Sequence, residues 1–93
     1  MPPPINFFER NRMNFQGQNY GLTMGSDMQR DGMFIELYPE GDVACAEVFY
    51  SDATHKFSLS LFQHSLPLEA VTWLIDEAQK RLPASSTDTV TDT

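Results

Sequence analysis

Residues 33–62 read MFIELYPEGDVACAEVFYSDATHKFSLSLF. Three runs, MFIELY (33–38), VACAEVFY (43–50) and KFSLSLF (56–62), are parted by PEGD (39–42) and SDATH (51–55). Both separators are rich in turn residues, and Gly41 can take a positive φ without steric cost. The pattern predicts strands joined by hairpins. A hairpin turn fixes which residues oppose each other, and side chains alternate between the two faces. Setting Tyr38 opposite Val43 places Leu37 against Ala44, Ile35 against Ala46 and Met33 against Val48. Setting Tyr50 opposite His55 places Val48 against Phe57, Ala46 against Leu59 and Ala44 against Leu61. One face then gathers Met33, Ile35, Leu37, Ala44, Ala46, Val48, Phe57, Leu59 and Leu61, all apolar. Its two central alanines leave a shallow groove in which a helix can lie.

The other face gathers Phe34, Glu36, Tyr38, Val43, Cys45, Glu47, Phe49, Lys56, Ser58, Ser60 and Phe62. A carboxylate buried without a partner costs several kcal/mol. In this register Glu47 faces water, opposite Phe34 and Ser58, and Glu36 lies opposite Cys45 and Ser60. The face is nonetheless too aromatic for a plain solvated sheet surface, which would carry Thr, Lys, Glu and Arg.

Outward from this stretch, QNYGLTMGSD (18–27) alternates Tyr20, Leu22 and Met24 with Gly21, Thr23 and Gly25, which reads as a further strand. Its glycines suggest a bulge or a close backbone approach. Residues 7–15 carry Phe7, Phe8, Met13 and Phe15 and suit either a helical turn or a strand over the core. The period changes in SLPLEAVTWLIDEAQKRLP (65–83). Val71, Leu74, Ile75, Ala78 and Leu82 fall on one helical face, with Trp73 at its flank. Ser65 is the expected N-cap, Pro67 fits the first turn, and Pro83 ends the helix. Asp76–Lys80 and Glu77–Arg81 are favourable i,i+4 pairs. The expected fold is α+β, an antiparallel β-meander of three to four strands with one C-terminal helix packed on one face. Residues 1–15 form an N-terminal segment, partly flexible, 16–83 the single domain and 84–93 a disordered tail.

A chain of 93 residues with 41% hydrophobic content supports one small core. Thirteen acidic against six basic residues give a net charge of −7. That charge repels phosphate backbones and anionic membranes and favours basic partners. Cys45 is the single cysteine, so it forms no intramolecular disulfide and no cysteine-based metal cluster. No basic segment followed by an apolar one opens the chain, and no apolar run is long enough to span a bilayer. A reducing cytoplasm is the expected compartment.

No catalytic motif, metal set or cofactor loop is present in the pattern. Glu36 and Glu47 lie diagonally on one face, but paired acids work in concave pockets rather than on open sheets. His55 and His64 have no metal spacing. The neighbouring carboxylates are expected to make Cys45 a poor nucleophile. The order of four strands then a helix is similar, over roughly 18–82, to single-stranded-nucleic-acid-binding modules of the transcriptional coactivator, Pur and Whirly type. The resemblance is topological and implies a base-stacking sheet face. Such modules need basic residues there, and this face has two glutamates and one lysine, which argues against nucleic acid.

The expected function is therefore a small acidic, non-enzymatic protein-interaction module: an inhibitor, an immunity or anti-defence protein, or a regulator. Phe34, Glu36, Tyr38, Val43, Glu47 and Phe62 are the expected contact for a partner with a basic or apolar surface, or for a second copy of the chain. The alternatives are the nucleic-acid module and a homodimeric structural protein. Whether Phe7, Phe8 and Phe15 fold back over this face is left open by the pattern.

Overall fold

A computed structural model of the chain describes residues 11–82. The expectations for Phe7, Phe8 and the 84–93 tail lie outside these residues. Five strands, β1 (Arg12–Phe15), β2 (Gln18–Asp27), β3 (Gly32–Pro39), β4 (Ala46–Ser51) and β5 (Phe57–Leu61), precede one helix, α1 (Leu68–Arg81). The strands form one antiparallel sheet in the order β1-β2-β3-β4-β5. The α+β meander with a C-terminal helix is thus observed, with β1 as an added strand. β1 arises because Gln16 (φ 56°) and Gly17 (φ 84°) both take positive φ, closing a two-residue hairpin.

Both hairpin registers differ from the expected ones by two residues. Leu37 pairs with Ala46, Ile35 with Val48 and Met33 with Tyr50; Val48 pairs with Leu59 and Ala46 with Leu61. In the first hairpin, Asp42 N–H bonds the Pro39 carbonyl, but pairing resumes only at Cys45. The Cys45 N–H donates to the Leu37 carbonyl at 2.8 Å, although Leu37 is already paired with Ala46. Two residues facing one make a bulge, and Cys45 turns from the open face into the core, fully buried. In the second hairpin the His55 N–H bonds the Ser51 carbonyl, with His55 at φ 60°. An even shift leaves each residue on its expected face, which is why the partition of faces holds elsewhere.

The core joins Tyr20, Leu22, Ile35, Leu37, Cys45, Ala46, Val48 and Tyr50 to Ala70, Leu74, Ala78 and Leu82. Small residues on both sides, Ala46 below and Ala70 and Ala78 above, let α1 approach β3 and β4 closely. The helix begins after Pro67, with no side-chain cap, so Ser65 does not cap it. The helix is also turned relative to its expected face. Trp73 packs against Phe15 of β1 at 5.7 Å between ring centroids. Ala70 becomes buried, and Ile75 is left exposed toward β5. The pairs Asp76–Lys80 (3.1 Å) and Glu77–Arg81 (2.9 Å) form. No helix among the described residues is long and apolar enough to cross a membrane.

Candidate functional site

No helix covers the face opposite α1 among the described residues, yet its aromatic rings are half-buried. The reason lies in β2. A Cβ placed on Gly21 would meet the Tyr38 ring at 3.1 Å, and one on Gly25 would meet the Phe34 ring at 3.0 Å. On Gly32 it would meet the Phe49 ring at 2.6 Å and collide with the Tyr50 carbonyl oxygen. The rings lie down across glycines, so the sheet supplies the cover that a second helix would otherwise give.

The β2–β3 turn supplies a further cover. The Asp27 carboxylate accepts from the backbone N–H groups of Gln29 and Arg30 and from the Arg30 Nε at 2.6 Å. The oriented guanidinium reaches Glu47 with Nη1 at 3.2 Å and Nη2 at 2.8 Å. It also lies 4.1 Å over the Phe49 ring. Glu47 is therefore not a solvated side chain: it is 7% exposed and ion-paired. Its cross-strand neighbour is Glu36 directly, not diagonally. Burial, reinforced by the Glu47 charge and offset in part by Arg30, pushes the Glu36 carboxyl above the usual glutamate range. Hydrogen bonds from Arg30 hold Asp27 below its usual range.

The expected contact residues thus separate. Phe34, Glu36 and Tyr38 form a half-buried floor, and Glu47 is sealed beneath Arg30. Val43 lies in the β3–β4 connection and Phe62 just beyond the end of β5, and they are 75% and 56% exposed. They do not gather with the floor as one patch. Burial, ahead of the nearby Asp42, pushes the Cys45 thiol up. Buried and protonated, it is a packing residue rather than a nucleophile. Among the described residues no cluster of His, Cys, Asp and Glu is disposed to hold a metal ion.

A different surface emerges on the α1 side. Phe57, Leu59 and Leu61 of β5, expected in the core, are 42–53% exposed because α1 lies over β3 and β4 and stops short of the edge strand. Between α1 and β5 runs a largely apolar cleft of about 180 Å³, lined by Val48, Phe57, Leu59, Ile75 and Ala78 together with Ser58 and Gln79. With Leu61, this makes an apolar strip along the α1 side of the β5 edge. One 14-residue helix cannot cover five strands. No protein family, curated protein or solved structure matches the chain.

Proposed function

We propose that this is a small acidic, non-enzymatic protein-interaction module, of the inhibitory or regulatory kind, whose contact surface is the β5 edge with its α1 cleft. The observation that carries the reading is the run of Phe57, Leu59 and Leu61, each 42–53% exposed, along the α1 side of the edge strand β5. Scattered apolar residues are ordinary on a protein surface, while a contiguous strip marks an interaction site. The net charge of −7 adds selection for partners that are not themselves strongly acidic. A nucleic-acid role draws little support from the open face, where Arg30 is engaged by two carboxylates.

A photo-crosslinking residue in place of Leu59, compared with one in place of the open-face Thr23, tests this in the producing cell. Protein adducts from position 59 and none from position 23 are expected. Adducts from position 23 alone would move the contact to the open face, and adducts from neither would refute the reading.

A further inference from the structure

The outer rim of β5 is backbone as well as side chain. The Ser51 N–H donates to the Lys56 carbonyl at 3.0 Å, and the Phe62 N–H donates to the Cys45 carbonyl at 2.9 Å. In an antiparallel ladder the bonded positions recur every second residue. Lys56, Ser58, Ser60 and Phe62 therefore turn their N–H and C=O groups toward β4. Phe57, Leu59 and Leu61 turn theirs outward, past the last strand of the sheet. Natural edges are blunted by charge, proline or a bulge. The Phe57–Leu61 segment, FSLSL, has no charge and no proline, and its ladder with β4 is regular. The other edge, β1, is four residues long and carries Arg12, ion-paired to Glu40.

We propose that the occupant of this edge is a second copy of the same chain, joined β5 to β5 in antiparallel fashion about a two-fold axis at Leu59. The inference rests on the reading of the β5 edge as the contact surface and names its partner. Two-fold pairing is self-complementary. Leu59 opposes the partner's Leu59, Phe57 opposes the partner's Leu61, and Leu61 opposes the partner's Phe57. All of these are outward-turned residues, so each pair exchanges both backbone bonds. Their side chains point to the α1 side, and the two clefts become one continuous apolar layer. On the other face Ser58 meets the partner's Ser60. The nearest charge, Lys56, falls opposite the partner's Phe62, so no like charges meet at the seam despite the net charge of −7.

The exposed parts of Phe57, Leu59, Leu61 and Ile75 amount to on the order of 300 Å² per copy, well under the roughly 800 Å² of a standard interface. The dimer is accordingly weak and concentration-dependent.

Sedimentation velocity of the full chain between about 1 μM and 1 mM, a span that brackets weak association, tests this. The expected result is a shift from monomer to dimer with concentration. Leu59→Lys and Leu59→Pro should each weaken dimerisation at least tenfold, while Thr23→Lys leaves it unchanged. The N–H that Leu59→Pro removes is outward-turned and bonds nothing in β4, and native circular dichroism of either variant confirms the fold. A chain that stays monomeric throughout overturns the proposal, as does a dimer indifferent to both Leu59 variants. A monomer whose position 59 still cross-links to another protein in cells overturns the second copy alone. A monomer with no adduct overturns the interaction reading as well.

Discussion

Both terminal nitrogens of Arg30 close on the Glu47 carboxylate, at 2.8 and 3.2 Å, while the same guanidinium lies 4.1 Å over the Phe49 ring. Arg30 is 45% exposed at its side chain, and Glu47 only 9%. The arginine acts as a lid between a buried acid and water. Removing the lid leaves the acid uncompensated. Arg30→Met should therefore destabilise by about 1–3 kcal/mol, the cost of a buried group deprived of its partner. Arg30→Met with Glu47→Gln should recover much of that loss. Urea unfolding of the four proteins in the cycle measures the coupling, and strict additivity would show that the pair is not coupled.

Glu36 and Glu47 stand opposite each other on adjacent strands, and a single arginine serves the pair. The Glu36 carboxyl titrates above its usual range through burial first and the Glu47 charge second. Its ionised form is thus disfavoured in the fold. The penalty is complete above the folded pKa and fades as pH falls toward the unfolded value. Glu36→Gln should stabilise at neutral pH by a few tenths to about 1 kcal/mol, the range for relieving opposed like charges. That advantage should shrink as the solution is acidified. Asp27, held low by Arg30, should show the opposite sign: Asp27→Asn destabilises at neutral pH, and the difference closes in acid.

Glycines on this sheet are not equivalent. Gly32 has no room for a methyl group beside the Tyr50 carbonyl and the Phe49 ring, whereas nothing lies within 4 Å of the corresponding position at Gly17. Gly32→Ala should cost more than about 2 kcal/mol by forcing backbone or ring to move. Gly17→Ala should cost about 1 kcal/mol, from its positive φ alone. Thermal unfolding of both variants tests the order, and equal losses would mean that the ring does not lie across Gly32.

Leu74 is fully buried and Leu59 is 43% exposed, although periodicity alone places both in the core. Leu74→Ala should cost about 2–5 kcal/mol. In dilute monomer, Leu59→Ala should cost distinctly less, about 1 kcal/mol or under. Chemical denaturation at low protein concentration separates them, and equal losses would place α1 over β5.

Alternation and turn residues were enough to place four strands, the helix and the inward or outward sense of most side chains. They did not reveal β1, whose marker is the Gln16–Gly17 turn between short flanks. Register slipped by two in the β3–β4 hairpin, where Cys45 and Ala46 both face Leu37 in a bulge, and in the β4–β5 hairpin, where the turn closes with His55 at positive φ; the apolar pattern records neither. The candidate surface was legible only in part. Of the residues proposed there, Val43 and Phe62 are exposed, whereas Phe34, Glu36 and Tyr38 are half-buried and Glu47 is buried. The sequence does not show how far one helix reaches across a sheet, and that reach decides whether Phe57, Leu59 and Leu61 are core or surface. Nor does it show that Arg30, seventeen residues before Glu47, folds over to meet it.

The most direct measurement of the central claim is residue-resolved amide hydrogen exchange along β5 at low and high protein concentration. The Ser58 and Ser60 N–H groups face β4 and should be protected at every concentration. The Phe57, Leu59 and Leu61 N–H groups face outward, and they should exchange freely in dilute solution and slow together as concentration rises. Fast exchange at all three positions, unchanged up to the highest concentration, would contradict pairing of β5 with a second copy.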